Sequence, residues 1–474
     1  MDEKFLLIIK DKLNLSTSKP VVIGFSGGMD SVCLASLFLD TSIPIIIAHF
    51  NHSLRETANR DEEFARDFAK KRNLPFYSEK GDVHQYAEEH HLSVEESARK
   101  MRYRFLFRIA KINKAEQIAV AHHADDQVET VFMHLFRGSG MAGLIGMKLE
   151  TLIPEFSKDI KLIRPMLTFW RSEIEEYCKI KGLDFVQDET NFLDTYERNH
   201  LRNSIIPFLN SHYPGLNSRI QKTATILENE DEVIDRLLMQ EWDKVCIQIH
   251  TEFARMKRNE FNRYPIALQR RMIRKVIFAL NPNLRNLSFD NIENAIQFSQ
   301  SGKTGEIDLQ ENFIAVFSDK EILFGTKTKA WMDILYPQLE KDFQVNTEKN
   351  QIIRFSKHWQ LKIEKINNFD EKKLISEDNF SVFLDEDKLV HANLIFRSRK
   401  DGDRFQPLGM MEGTIKISDF FINEKLMKPA RDKWPLLTNE RGEIIWVPGY
   451  RPSHMVRITN TTVNFIKFSL KRID

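Results

Sequence analysis

The sequence predicts an α/β protein whose first half contains a parallel sheet covered by helices on both faces. Short apolar runs typical of buried strands alternate there with helical patterns. Two of these runs, ending near Phe25 and Ala121, lead into glycine-rich or polar loops that open a helix. Because ligands bind at the carboxyl ends of parallel strands, we expect both loops to lie at a binding site.

The predicted elements of this first half follow one another in a regular order. Candidate strands lie at residues 21–25, 45–48, 74–77 and 117–121. Helical patterns follow the first, second and fourth of them. Between the third and the fourth, Ser93 and Glu96 form a capping-box pattern at the start of a further helix, whose apolar residues recur every three to four positions.

The second half of the chain shows a change of pattern. From about Tyr213 to Phe298 apolar residues recur at helical spacing, and strand-like runs with turn signals dominate from about Gly305. A boundary is placed within residues 379–393. We therefore predict three domains, which are 1–212, a mainly helical 213–385 with a β-rich end, and 386–474.

Composition excludes several classes of protein. Hydrophobic residues make up 42% and charged residues 29% of the chain, which is typical of a folded protein. The net charge of +1 gives no argument for or against a nucleic-acid partner. Cys33, Cys178 and Cys246 form no Cys-x-x-Cys pair, which disfavours a zinc ribbon or a dithiol redox site. Without a signal peptide or a long apolar stretch, a cytoplasmic protein with no membrane partner is predicted.

The loop after the first strand is the strongest single motif, and it consists of Ser26, Gly27, Gly28, Met29, Asp30 and Ser31. Glycines let backbone N–H groups approach an oxyanion, and the following helix adds partial positive charge at its N-terminus. The loop lacks the lysine of a kinase-type phosphate loop and is not a dinucleotide fingerprint. Since a carboxylate beside phosphates is unfavourable without a cation, Asp30 implies bound Mg²⁺.

Other polar motifs lie at or near predicted strand ends. His49 follows the second strand, and residues 122–130 begin a helix with several carboxylates, which repel one another unless Mg²⁺ or an ammonium group is present. Arg99 and Arg102 share one helix face, and a fixed guanidinium suits charge on an α-phosphate. Arg198 and Arg202, four residues apart, suit RNA phosphates. Structural alternatives are a solvated face for the first arginine pair and surface ion pairs for the second.

The C-terminal segment carries the most basic short run beside an aromatic residue, with Arg397, Arg399, Arg404 and Phe405. Such a run suits binding to backbone phosphates of RNA, with a steep dependence on salt. The structural alternative is a charged hairpin on a small β domain.

Taken in order, these motifs resemble the N-type ATP pyrophosphatases and, more narrowly, the tRNA(Ile)-lysidine synthases, over most of residues 20–210 and again over 394–451. The resemblance implies an N-type ATP pyrophosphatase (adenine nucleotide alpha hydrolase-like) domain, then a helical domain and a small C-terminal α+β domain. Residues 188–191 match a family motif with Thr190 in place of the usual serine. The resemblance implies catalytic roles for Asp30, Arg102 and Asp126, and Mg²⁺ binding by Asp30 and Asp126. It implies ATP binding by the loop residues 26–31 and by His49. The residues implied to bind tRNA are Arg198, Asn199, Arg202, Arg397, Arg399 and Arg404.

The activity implied by this resemblance is a carbon–nitrogen ligation. L-lysine would be joined to C2 of the wobble cytidine in the CAU anticodon of tRNA(Ile), through an adenylated cytidine, with ATP converted to AMP and diphosphate. The lysidine formed changes decoding from AUG to AUA. The sequence leaves open which residues bind lysine, how tRNA(Met) is rejected, and whether the chain forms a homodimer.

Three rival functions are weighed against this one. A tRNA thiolase on the same loop would need paired cysteines or a cluster. A metal-dependent phosphoesterase would be built from His49, His52, His122, His123, Asp125 and Asp126. A non-catalytic RNA-binding protein would release no pyrophosphate.

Overall fold

The computed structural model describes residues 1–53, 58–186, 197–282, 284, 287–310, 312–366, 378–389 and 393–473. It divides into two compact units, Met1–Leu237 and Leu238–Asp474, and the division falls within helix α11 (Leu216–Val245). The finer division into three domains stays a prediction. Within the described ranges, no helix combines the length and apolar character needed to cross a bilayer.

The first unit is built on a six-stranded sheet with the order β3-β2-β1-β4-β6-β5. All neighbours are parallel except β5, which runs antiparallel to β6. The sheet contains the four predicted strands and two short ones that the sequence analysis missed. The strands are β1 (Val21–Gly24), β2 (Ile45–Asn51), β3 (Phe76–Lys80), β4 (Gln117–Ala119), β5 (Glu150–Leu152) and β6 (Lys161–Ile163).

Helices cover the sheet and continue into α11. They are α1 (Asp2–Leu7), α2 (Met29–Leu39), α3 (Ala58–Lys71), α4 (Val83–His90), α5 (Val94–Ile112), α6 (Ala124–Phe136), α7 (Met141–Leu144), α8 (Arg171–Lys181), α9 (Glu197–His200) and α10 (Ile206–His212). Two π-helical turns, Ile8–Lys12 and Leu201–Ile205, extend α1 and α9. The predicted cap of α5 is present, since Ser93 Oγ accepts a hydrogen bond from Glu96 N at 3.2 Å.

Strand residues alternate between two apolar cores, one on each face of the sheet. Val21 and Ile23 of β1 pack into the core that contains α2 and α8. Val22 packs with Ile46 of β2 into the opposite core, beside Leu106 of α5. Because both faces are covered, β1 and the first half of β2 are apolar throughout, which is why these two strands could be predicted from continuous apolar runs.

The second unit contains helices and antiparallel sheets. Its helices are α12 (Arg258–Arg263), α13 (Ile266–Leu280), α14 (Phe289–Gln300), α15 (Met332–Leu335), α16 (Ile417–Asn423) and α17 (Lys428–Arg431). Strands β7 (Cys246–Ile249), β8 (Phe253–Lys257), β9 (Gly305–Gln310), β10 (Phe313–Phe317) and β11 (Glu321–Thr326) form one sheet in the order β7-β8-β11-β10-β9.

The C-terminal part of this unit forms two four-stranded sheets and a two-stranded ribbon, with orders β12-β16-β19-β20, β13-β14-β21-β15 and β17-β18. The strands are β12 (Phe343–Val345), β13 (Gln351–Arg354), β14 (Trp359–Ile366), β15 (Ser381–Asp385), β16 (Leu394–Arg397), β17 (Arg404–Phe405), β18 (Ile415–Lys416), β19 (Leu436–Thr438), β20 (Ile444–Trp446) and β21 (Phe465–Arg472). The strand-like runs predicted near residues 313, 394 and 444 are therefore strands. An aromatic cluster that includes Phe421, Trp434 and Tyr450 packs beside them.

Candidate active site

The glycine loop joins β1 to α2 and requires glycine at one position. Gly27 has φ of +89°, and a Cβ there would lie 3.3 Å from the Phe64 ring. Within the loop, Ser31 Oγ accepts hydrogen bonds from Ser26 N at 3.2 Å and from Gly27 N at 3.1 Å. These two N–H groups thus converge on the Ser31 hydroxyl, for which a phosphate oxygen would have to substitute when bound by the loop.

Asp30 belongs to this loop and lies in the first turn of α2. Its Oδ1 is buried and has no hydrogen-bond partner among the described residues, while its Oδ2 lies 3.9 Å from His123 Nε2. Burial raises the pKa of Asp30, and the positive charges of His123 and Arg171 oppose that rise. A buried carboxylate oxygen without a donor fits the role of a Mg²⁺ ligand.

Two carboxylates of α6 and two arginines that follow much later in the chain form a buried ionic cluster. Asp126 Oδ1 accepts hydrogen bonds from Arg198 Nη2 at 3.1 Å and Arg202 Nη2 at 3.0 Å. Glu129, only 1% exposed, accepts from Arg198 Nε at 2.7 Å and Arg202 Nε at 2.5 Å. Both arginines thus point at α6, with Asn199 between them in sequence. Their predicted contact with tRNA stays a prediction.

The charge of Asp126 is strongly stabilised. Burial alone would raise the pKa of Asp126, but the charges of His123 and Arg198 outweigh it and the pKa falls to about 2. Its Oδ2 accepts a hydrogen bond from His123 N at 3.0 Å. Each oxygen therefore already has a donor, so metal binding by Asp126 would have to use Oδ2 beside that donor.

The described residues contain no group of three or more histidine, cysteine or acidic side chains arranged to hold a metal ion. Mg²⁺ in nucleotide sites commonly uses one or two carboxylates together with phosphates, and it needs no larger group.

The two adjacent histidines before α6 have opposite electrostatic surroundings. Burial opposes protonation of His123, but Asp125, Asp126 and Asp30 outweigh it and raise the pKa of His123. Burial lowers the pKa of His122 well below its usual value, and nearby arginines add to this effect. The carboxylates around His123 therefore favour its charged form, while the surroundings of His122, which lines the cavity described below, favour its neutral form.

Arg102 lies on α5 at the opposite side of the site, next to Tyr103. The guanidinium of Arg99 lies 5.0 Å and that of Arg102 lies 5.5 Å from the centre of the Tyr103 ring. The structure adds Arg164, which is 5% exposed and donates through Nη1 to Lys148 O at 2.8 Å. Arg164 could not be predicted as part of the site, because it directly follows β6 and the sequence pattern did not reveal that strand.

A cavity of about 340 Å³ lies at the carboxyl edge of the sheet. It brings together residues of the glycine loop with His49, Arg102 and Asp126, as the sequence predicted. His49 is buried, and its Nδ1–H donates to Phe25 O at 2.9 Å. The other lining residues are Gly24, Phe25, Ala48, Phe50, Asn51, His52, Ala58, Asp61, Leu106, Val120, Ala121 and His122. Asp61 is a further residue that the sequence analysis did not identify.

Two of the three cysteines lie close together in the folded chain. Although they are 145 positions apart in sequence, Cys33 and Cys178 are buried in the same core and interact with each other. Cys33 is 0% exposed and Cys178 is 2% exposed. Neither thiol therefore reaches the cavity, as the cysteine of a thiolase would need to.

The predicted basic run of the second unit is only partly available for RNA. Arg397 is 5% exposed and makes two hydrogen bonds to the carboxylate of Asp403, at 2.7 and 2.8 Å. Arg399 pairs with Asp432, and Arg404 is exposed, with Nε 2.9 Å from Thr414 Oγ1. The burial of Arg397 disfavours direct contact with RNA, and the proposal of such contact rests on the other two arginines.

Comparisons with known proteins agree with this geometry. Residues 1–209 match the model of the PP-loop domain family, and residues 394–462 match that of the TilS substrate C-terminal domain. A tRNA(Ile)-lysidine synthase of Clostridium perfringens strain 13 is 30% identical, over 99% of both chains. The chain belongs to the tRNA(Ile)-lysidine synthase family.

Other members of the tRNA(Ile)-lysidine synthase family show similar coverage. The one from Bacillus subtilis strain 168 is 30% identical over 94% of this chain and 93% of its own. Among solved structures, the U34-tRNA thiolase NcsA of Methanococcus maripaludis aligns with a TM-score of 0.40 and 18% identity, over 48% of this chain and 77% of that chain.

The predicted family and fold class are thereby confirmed. The roles of individual residues stay predictions, and the predicted motif at residues 188–191 lies outside the described residues.

Proposed function

We propose that this chain joins L-lysine to C2 of the wobble cytidine in the CAU anticodon of tRNA(Ile), using ATP and releasing AMP and diphosphate. As a member of its family it is an ATP-using ligase that forms lysidine on tRNA. We place it in the cytoplasm, because its tRNA substrate is used there.

The observation that carries the proposal is the arrangement around one cavity. The N–H groups of Ser26 and Gly27 converge on Ser31 Oγ. Ser26, Ser31 and Asp30, whose Oδ1 has no hydrogen-bond partner among the described residues, line the cavity together with Arg102 and Asp126. Converging N–H donors hold phosphates, and a guanidinium stabilises the charge that develops on the α-phosphate.

The proposed reaction has two steps. The C2 carbonyl oxygen of the splayed-out cytidine attacks the α-phosphorus, and diphosphate leaves from the loop. The ε-amine of lysine then attacks C2 and loses a proton, and the C2–O bond breaks so that AMP leaves with the oxygen. An unpaired base in an anticodon loop reaches such a cavity at small cost.

Mg²⁺ is a proposed part of this site, with Asp30 Oδ1 as its best-fitting protein ligand and Asp126 Oδ2 as the second. When bound, it would neutralise part of the phosphate charge. The residues of the chain orient it, since Asp126 is fixed by Arg198 and Arg202.

Incorporation of labelled lysine into purified tRNA(Ile) tests the proposal. Label should enter the RNA only with Mg²⁺ and ATP present, and not when the wobble cytidine is replaced by uridine. Asp30→Ala should abolish incorporation. Asp40→Ala, at the other end of α2 and paired with Lys181 on the surface, is the matched control and should keep it. Equal incorporation by Asp30→Ala and wild type would contradict the metal role.

A further inference from the structure

Asp61 is an acidic residue in the cavity wall, and within the described part of the chain few cationic groups lie near it. It lies in the first turn of α3, and its side chain is 20% exposed. The one ion pair that the described residues give it is with its exposed neighbour Arg60, at 3.5 Å. The other two carboxylates of the cavity differ, because Asp30 lies near His123 and Asp126 binds two arginines.

The position of Asp61 is fixed by the residue that follows it. Glu62 accepts hydrogen bonds from Asn51 Nδ2 at 3.2 Å, from Ser78 Oγ at 2.9 Å and from Arg66 Nη2 at 2.9 Å. These bonds tie the start of α3 to the carboxyl ends of β2 and β3. Asp61 is therefore held at the cavity by a network in which its own carboxylate takes no part.

Asp61 lies next to the phosphate loop. A Cβ on Gly27 would be 3.8 Å from the main-chain oxygen of Asp61. The apolar residues of the cavity wall include Ala48, Leu106 and Val120, together with Phe25, Phe50, Ala58 and Ala121. An adenine ring fits such a wall, while the triphosphate fits the loop, so the ribose of a bound nucleotide has to lie between the two.

We infer that Asp61 accepts hydrogen bonds from the ribose hydroxyl groups of ATP and so makes the site selective for ribonucleotides. The inference rests on the proposed function, because it assumes that ATP occupies this cavity. A carboxylate is a strong hydrogen-bond acceptor for two neighbouring hydroxyl groups. These hydrogen bonds do not require a second cation beside the triphosphate.

Binding of ATP, 2′-deoxy-ATP and 3′-deoxy-ATP to the full chain, measured by calorimetry with Mg²⁺ present, tests this inference. Wild type should bind ATP about tenfold more tightly than either analogue, since a hydrogen bond to a charged group is worth about one such factor or more. Asp61→Ala should weaken ATP binding to the level of the analogues, so that the ratio falls to about one. Asp61→Asn, which keeps the shape, should give an intermediate ratio.

Asp67→Ala is the matched control, because Asp67 lies on the same helix and is exposed. It should leave the ratio at the wild-type value. An unchanged ratio in Asp61→Ala would overturn the inference alone. The same holds if that variant keeps its ATP affinity but needs more lysine for half-maximal rate, which would assign Asp61 to the lysine ammonium group. Failure of wild type to bind ATP at all would instead overturn the proposed function.

Discussion

Each unit of the protein contains a buried arginine–carboxylate cluster, and the two clusters are built differently. In the second unit, Arg397 donates to both oxygens of Asp403 and to the carbonyl oxygens of Ser398 and Gly442. Asp403 also accepts from Lys400 N at 2.7 Å. This pair is enclosed by protein and saturated with hydrogen bonds.

The cluster of the first unit borders a cavity. Asp126 belongs to the wall of that cavity, and near it Asp30 Oδ1 is buried without a donor in the described residues. Buried polar groups are normally paired, so an unpaired one beside a cavity points to a ligand. The ion pairs of both clusters are satisfied, so what separates the site from the scaffold is the neighbouring oxygen of Asp30, which lacks a donor in the described part of the chain.

The largest effect is expected from breaking the saturated pair. Arg397→Ala leaves the charge of Asp403 buried and unpaired, so the free energy of unfolding of the second unit should fall by about 3–5 kcal/mol. Urea titration followed by tryptophan fluorescence would measure it. ATP binding by the first unit should be unchanged, and a loss below 1 kcal/mol would show that the pair is not a scaffold element.

Substitution of Asp30 in the cavity wall should have a large effect on activity and a small effect on stability. Asp30→Asn removes a charge that burial disfavours, so the melting temperature should stay the same or rise, while AMP formation with tRNA should fall about 100-fold or more. Calorimetry and AMP release would measure the two quantities. Asp40→Asn serves as the control, and a variant that loses stability and keeps activity would erase the contrast between the clusters.

Acid should weaken the first cluster over a defined range. The pKa of Asp126 is about 2 in the folded chain, below its value of about 3.9 in the unfolded chain. A carboxyl group whose pKa is lower in the folded chain stabilises the fold at pH values above its unfolded pKa. That stabilisation is lost as the pH falls through about 4 towards 2. The loss should be about 2 kcal/mol. Asp126→Asn should remove this part of the pH dependence, and an unchanged slope would contradict the pairing with Arg198 and Arg202.

The smallest effect is expected at the exposed arginine of the second unit. Arg404→Gln should weaken tRNA binding a few-fold and reduce the slope of log affinity against log salt by about one, since one phosphate contact is lost. Filter binding at several salt concentrations measures both. The matched control is Arg441→Gln in the turn between β19 and β20, and equal salt slopes for wild type and Arg404→Gln would argue against the contact.

Local sequence was enough to predict much of the first unit. Strand β1, the glycine loop and the cap at Ser93 depend on neighbouring residues, so their patterns are visible in short windows. The partners of Asp126 and Glu129 could not be predicted, because Arg198 and Arg202 lie about 70 positions away. Arg164 and Asp61 were missed for a related reason. Arg164 directly follows β6 and Asp61 lies in the first turn of α3, and the sequence pattern marks the ends of both elements weakly. The pairing of Cys33 with Cys178 likewise depends on how α2 and α8 pack.

Transfer of label from [α-³²P]ATP to tRNA(Ile), with lysine withheld, tests the central claim most directly. The enzyme should transfer the labelled AMP group to the RNA and release unlabelled diphosphate. Added lysine should then release the label from the RNA as AMP. Asp30→Asn should show neither step. Release of labelled ADP, or tRNA that never acquires label while ATP is consumed, would contradict the account.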